Sequence, residues 1–355
     1  MEELVIVGNG MAGVACLEQI LKHAPKFNIT VFGDETHANY NRILLSSVLA
    51  GERAADDITI NSLEWYQQNN IGLRLGVRVI DVDPVRRIVK GDDRSVTSYD
   101  KLLLATGSHA FLPPISGLDK ENVFTFRNLD DTRAILDAAG PGVKAVVIGG
   151  GLLGLEAARG LQAQGCDVTV IHLLETLMNL QLDLTGGAYL QQKMEQIGVR
   201  VLTSRVTQRL LGNGKVEGLE FANGELLEAD LVVIAAGIRP NVDLGSKAGL
   251  QINRGIVVND YMETSDPRIF AVGNASSTTA RSSGWWRRCS NKGKCWQPRS
   301  RATRSRPLLA GHLRPSSRSW CRRFLRRRLP GGRRHRSRAL RRSHARSLQE
   351  ASGQR

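Results

Sequence analysis

The sequence predicts an α/β fold of two similar parallel-sheet units, followed by a tail with no regular structure. Two observations point to the paired units. A GxGxxG turn occurs twice, as Gly8-Asn9-Gly10-Met11-Ala12-Gly13 and as Gly149-Gly150-Gly151-Leu152-Leu153-Gly154. Each copy follows a short apolar strand and opens a stretch with helical periodicity. A third observation separates the tail: residues 276–355 carry 22 Arg, 2 Lys and one acid, Glu350, whereas residues 1–275 hold 25 basic and 33 acidic residues. A region of net charge −8 is thus joined to one of +23.

The first unit reads as strand Leu4–Val7, the glycine turn, a helix near Met11–Leu21 and strand Asn28–Phe32. Asn39–Ser47 follows, with Arg42 beside an apolar helical stretch, and then an exposed acidic patch at Glu52–Asp57. Leu73–Val82 and Arg87–Lys90 read as paired strands around Asp83-Pro84. Lys101–Ala105 is a buried strand that ends in Thr106-Gly107, and Pro113-Pro114 marks a change of domain.

The second unit is approached through Val123–Arg127, the helix Asp130–Ala139 and the turn Pro141-Gly142. Strand Lys144–Ile148 delivers the second glycine turn, the helix Leu152–Gln164 stops at Gly165, and Asp167–Ile171 is the next strand. A helix over Leu182–Ile197, a strand at Val199–Leu202 and a hairpin of Arg209–Leu211 with Gly218–Phe221 come next. Ala229–Ala236 is a buried strand entering Gly237, and a last strand pair, Ile256–Asn259 with Ile269–Val272, leads to Gly273.

The chemistry follows from the turns. A strand that delivers Gly8, Gly10 and Gly13, or Gly149, Gly151 and Gly154, to a helix N-terminus turns unpaired N–H groups and the positive dipole end outward. A pyrophosphate can settle there. Two Rossmann-like dinucleotide seats are therefore expected. Such folds hold the ribose with an acid at the end of the second strand; the first unit has Gly33 there, with Asp34 and Glu35 next, and one of these takes the role. The second unit has His172, which neither repels a 2′-phosphate nor attracts it, so NADH and NADPH are not told apart. Arg42 is either a surface charge or a planar donor fork of the kind a pyrophosphate selects.

Length and composition fit two or three domains with substantial cores. The five cysteines (Cys16, Cys166, Cys289, Cys295, Cys321) are odd in number and lack CxxC or zinc-type spacing, so no metal site and a reduced, cytoplasmic interior are expected. Met1 leads within three residues into a core strand, and no apolar run reaches membrane-span length, which argues against secretion and membrane insertion.

With these pieces in place, the first 275 residues resemble the flavin-dependent pyridine-nucleotide reductases. They are most similar to the FAD- and NAD(P)H-binding front end of the assimilatory nitrite reductase large subunit. The residues that carry this are VIVGNGMAG at the start, NYNRILLSSVLAGE (Asn39–Glu52), KLLLATGS (Lys101–Ser108), VVIGGGLLGLEAARGL (Val146–Leu161) and VTVIHL (Val168–Leu173) with LMNLQLD (Leu177–Asp183). GIRPN (Gly237–Asn241) and GIVVNDYMETSDPRIFAVG (Gly255–Gly273) complete the set.

The resemblance implies an FAD domain from 1–114 and 240–275, an NAD(P)H domain inserted at 115–239, and hydride transfer from NAD(P)H to FAD. Gly8, Gly10, Met11, Ala12 and Gly13 would seat the FAD pyrophosphate, while Arg42, Ala105, Thr106, Gly107 and Gly273 line the flavin. Gly149, Gly151, Leu152, Leu153 and Gly154 would seat NAD(P)H, with Glu156 near the nicotinamide path, Gly237 among the cofactor-binding residues, and His172 either beside the adenosine ribose or a surface polar residue at a strand end. The partner implied is a downstream electron-acceptor module or nitrite reductase subunit; a free-standing ferredoxin- or rubredoxin-type reductase is the alternative.

Three departures bear on this. The family follows AVG with a carboxylate toward the flavin, and here Asn274-Ala275 stand instead. The Cys-rich Fe–S and sirohaem segments are missing, so nitrite reduction by this chain alone is not expected. Ser46 and Ser47 occupy the place where disulfide reductases carry a redox cysteine. Residues 276–355 contain no Ile, Val, Met, Asp or Tyr, and the change falls inside a family motif. A frameshifted or truncated product is expected there in preference to a nucleic-acid-binding extension.

Overall fold

The computed structural model describes residues 1–23 and 27–278. The expectations for the basic tail beyond residue 278 lie outside the described residues, and its first residues, Ser276–Thr278, form a strand against the expectation of no regular structure.

Two five-stranded sheets, each parallel throughout, form the frame. The first runs in the order Ile269–Ala271, Lys101–Leu104, Glu2–Val7, Phe27–Gly33, Ile71–Leu75. The second runs Val123–Thr125, Leu231–Ile234, Lys144–Ile148, Asp167–Ile171, Val199–Leu202. In both, the strand that feeds the glycine turn is central. Its residues are apolar in unbroken runs (Leu4-Val5-Ile6-Val7 and Ala145-Val146-Val147-Ile148) because both faces are covered, and all eight are buried.

The glycine turns enter helices α1 (Met11–His23) and, later in the chain, α4 (Leu152–Ala163). Between these lie a short helix at Leu63–Gln68 and the two that bear on the site, α2 (Leu45–Leu49) and α3 (Leu129–Ala138). Asn128 caps α3 by accepting from Asp131 N–H at 2.7 Å. Gln164 ends α4, and Gly165 beyond it has φ +87.

Several elements differ from the sequence reading. Leu73–Val82 is not one strand: Gly76, at φ +67, turns the chain, so that Ile71–Leu75 closes the first sheet while Val79–Asp83 joins Ile88–Gly91 and Val96–Ser98 in a separate antiparallel sheet. The segments near 256 and 269 are not partners. Ile269–Ala271 pairs with Leu102–Leu104, and Ile256–Val258 pairs in parallel with Ser276–Thr278, so pairing continues past the break in composition. The hairpin at 207–221 gains a third strand, Leu226–Glu228. The helix expected from Leu182 begins at Leu184, because Asp183 caps it through Gly186 N–H at 2.7 Å.

Packing joins the two sheets. Tyr40, Leu45, Val48, Leu49 and Ile58, which precede the second unit by some distance in the chain, belong to the same buried cluster as Phe126, Ile135, Leu155, Leu161 and Val168. Gln164 Nε2 donates to the Leu49 carbonyl at 2.8 Å across this seam. The chain crosses between the sheets twice, at Ser108–Ala110 and Ile238–Pro240, and the crossings pair antiparallel. Asn241 ties them: its amide donates to the Thr106 carbonyl at 2.7 Å, and Thr106 Oγ1 donates to the Asn241 carbonyl at 2.8 Å.

Candidate functional site

The two glycine turns are built alike, bond for bond. Gly8 N–H donates to the Phe32 carbonyl and Gly149 N–H to the Ile171 carbonyl, each at 2.8 Å. Ala105 N–H donates to Val7 and Ala235 N–H to Ile148. Gly8 and Gly149 have φ of +112 and +133, and a Cβ on either would overlap the carbonyl of Ala105 or Ala235. Gly13 and Gly154 lie where the helix crosses the turn, so a Cβ there would overlap the Gly8 or Gly149 carbonyl. Gly10 and Gly151 differ: nothing lies within 4 Å of a Cβ built on them. The first and third glycines are thus required by the backbone, and the second leaves open space at the helix end.

A cavity of about 690 Å³ runs along the first turn. Gly8, Gly10, Met11, Ala12, Asp34, Glu35, Arg42, Ala105, Thr106, Gly107 and Gly273 all line it. Gly13 packs behind it. The cavity is also walled by Asn274, where the family has a carboxylate, and by groups the sequence did not single out: Asn9, Ser108, Arg127, Asn128, Asp131 and Asn241. Only the non-local crossings and the turn into α3 bring most of these here, so no local pattern marks them.

The polar groups of the cavity form one chain of contacts. Arg42 pairs with the Glu35 carboxylate through Nη2 and donates to the Arg127 carbonyl through Nη1 at 3.0 Å. The Tyr40 hydroxyl donates to Glu35 at 2.5 Å, and burial pushes its pKa up. Asp34, by contrast, is exposed at the mouth. Arg127 donates from Nη2 to Ser108 Oγ at 2.6 Å, and Asn274 Nδ2 donates to the same oxygen at 3.0 Å. Tyr66, buried and pushed up to about 12 by desolvation, donates to Asn9 Oδ1 at 2.7 Å and steadies the turn.

The second turn lies outside this cavity. His172 stands over it, with Nδ1 accepting from Gly150 N–H at 3.2 Å, and burial lowers its pKa, which keeps the ring neutral. Leu152 is exposed at the helix start, while Gly154 is buried. Gly237, at φ +117, turns the chain away after the neighbouring strand as Gly107, at φ +69, does in the first unit. Glu156 faces α2, where its carboxyl meets the Ser46 hydroxyl, and burial raises its pKa to about 7. The described residues include no cluster of three or more His, Cys, Asp or Glu able to hold a metal ion. No described helix is long and apolar enough to cross a membrane.

Comparison with known proteins matches residues 2–293 to the pyridine nucleotide-disulphide oxidoreductase family. The chain belongs to this family. Among curated relatives it is 52% identical over 276 residues to a nitrite reductase [NAD(P)H] of Bacillus subtilis (strain 168), covering 78% of this chain and 34% of that protein. It is 48% identical over 276 residues to the assimilatory nitrate reductase electron transfer subunit of the same organism, covering 78% of this chain and 36% of that one. The chain therefore spans about a third of the length of these relatives. Among solved structures, the putidaredoxin reductase–putidaredoxin complex superposes with a TM-score of 0.78 at 29% identity, over 85% of this chain and 77% of that one.

Proposed function

We propose that this chain is an NAD(P)H oxidoreductase module that carries FAD along the first glycine turn and receives NAD(P)H at the second. As the input part of a nitrite reductase-type enzyme, it would pass electrons to a downstream acceptor module in the cytoplasm. The observation that carries this reading is the duplicated turn, one copy of which opens into a cavity of about 690 Å³, within the range of cofactor sites.

The residues present fit a dinucleotide. Gly10 leaves the helix end open where any side chain would fill the cradle. The first N–H groups of α1 have no helical partner, and they face the cavity with the positive dipole end. Arg127 adds a cationic donor, and Asp34, exposed and with no side-chain partner among the described residues, follows the second strand and is suited to ribose hydroxyls. Glu35 is committed to Arg42 and Tyr40, so Asp34 is the ribose acid of the pair.

When bound, FAD would accept a hydride from the nicotinamide and release electrons onward. The protein's part is to bind, orient and exclude water. The shared core and the ties from Gln164 to Leu49 and from Asn241 to Thr106 hold the two seats in one orientation. Ser46 and Ser47 offer no thiol beside the seam, which favours direct transfer over a disulfide relay. The second turn, with neutral His172 in place of an acid, supports use of either dinucleotide.

The test is FAD uptake by the purified protein. Retention of about one FAD per chain, with a yellow product, is expected. A folded protein that takes up no FAD would refute the reading. Acceptor specificity is then read from which carrier, a fused module or a separate ferredoxin, is reduced.

A further inference from the structure

The two glycine turns obey a rule of exclusion. In each, the residue after the first glycine faces the residue that follows the second strand: Asn9 faces Gly33, and Gly150 faces His172. A Cβ built on Gly33 would stand 3.0 Å from Asn9 Cβ, and one built on Gly150 would stand 3.0 Å from His172 Cβ and 2.8 Å from His172 Cγ. Carbon atoms rest about 3.5–4.0 Å apart, so each pair has room for one side chain. In the first unit that side chain stands on the turn. In the second it stands at the strand end.

The peptide at this position is clasped in both units. In the first, the Asn9 carbonyl accepts from Asn39 Nδ2 at 2.9 Å, and the Asn9 side chain is held by the Tyr66 hydroxyl at 2.7 Å. In the second, the Gly150 carbonyl accepts from Met178 N–H at 3.0 Å, and Gly150 N–H donates to His172 Nδ1 at 3.2 Å. Gly150 has no side chain by which to be held, and the imidazole takes its N–H instead. An Nδ1 that accepts leaves the ring proton on Nε2, and burial, which lowers the pKa, preserves that neutral form. The other polar neighbours of the ring, the Thr176 backbone and the Asn179 side chain, are uncharged.

With Gly150 N–H bound inside, the groups left to meet a pyrophosphate are the N–H groups of Gly151 and of the first turn of α4. The Gly150 peptide leads into them, so whatever fixes that peptide aims them. We propose that His172 is a positioning residue of the second turn: by accepting from Gly150 it sets the direction of the pyrophosphate-binding N–H groups, as the Asn9 side chain does in the first. The inference rests on NAD(P)H occupying the second turn.

The test follows anaerobic reduction of the FAD-loaded protein by NADH in stopped flow, which separates the dissociation constant of NADH from the limiting rate of flavin bleaching. His172→Leu strips Gly150 N–H of its acceptor and should raise the dissociation constant by about five- to thirtyfold, with the effect confined to binding. His172→Asn, whose Oδ1 stands in for Nδ1, should recover most of this. An unchanged dissociation constant in the Leu variant would overturn the inference. So would an Asn variant as weak as the Leu variant, or a loss that falls on the limiting rate. If His172→Leu does not fold, exchange of the side chains decides. Gly150→Asn alone should weaken NADH by about tenfold or more, because its Cβ meets the imidazole, and adding His172→Gly should restore the affinity. A double variant no better than the single one would overturn the exclusion and the inference with it. A folded, FAD-loaded wild type that neither binds NADH nor is reduced by it would overturn the inference together with the function it rests on.

Discussion

Leu49 of α2 occupies the space that a side chain on Gly160 of α4 would need: a Cβ built on Gly160 would stand 2.7 Å from Leu49 Cγ. This contact brings the segment beyond the first dinucleotide turn against the helix that begins at the second. Gly160→Val is expected to wedge α2 from α4 and to cost about 1–3 kcal/mol. Overpacking should outweigh the gain in helix propensity. A lowered midpoint in urea or heat, without a change in secondary structure content, would bear this out.

Glu156 sits one turn further toward the helix start and has no cation opposite it among the described residues. Its pKa, raised by burial to about 7, exceeds that of an unfolded carboxyl. The folded state therefore binds the proton more tightly. Stability from this group is full below the unfolded value and is lost as pH rises through about 7. Glu156→Gln should match the wild type near pH 5 and surpass it near pH 8, by at most about 3 kcal/mol. Parallel unfolding curves for the two proteins across that pH range would contradict this assignment.

The second glycines of the two turns offer a pair of independent tests. Gly10→Val and Gly151→Val place a branched side chain in open space, so both proteins should fold with midpoints close to the wild type. The first should lose FAD and the second should keep FAD while losing NAD(P)H. Equilibrium dialysis with each cofactor reads both. Loss of FAD from the Gly151 variant would break the assignment of turns to cofactors.

His172 is neutral and accepts from Gly150 N–H. On the proposed function His172→Asp would set a carboxylate beside the ribose of the bound dinucleotide, and the preference for NADH over NADPH should rise by about tenfold or more. Steady-state comparison of the two dinucleotides measures it, and an unaltered ratio would show that the 2′ position lies elsewhere.

The two sheets were legible in the sequence because their central strands are unbroken apolar runs and their turns carry glycines at positions that admit no Cβ. What escaped was non-local. Nothing near Ile256 indicates that it pairs with Ser276 rather than with the strand at 269. Gly76 resembles any glycine in a strand until its φ of +67 shows that it divides two sheets. The burial of Tyr40, Leu45 and Leu49 in the second core depends on the docking of two separate units, which periodicity does not encode. Among cavity residues, Arg42 stood out through its neighbours in sequence, whereas Arg127 reaches the cavity only because its segment meets Ser108.

The central claim is that one chain holds two dinucleotides so that one reduces the other. Anaerobic addition of NADH or NADPH to the FAD-loaded protein, followed by absorbance of the oxidised flavin band, tests it most directly. Bleaching of the band, with stoichiometric consumption of the reduced nicotinamide, is the expected result. A yellow protein whose flavin band is untouched by both dinucleotides would contradict the account.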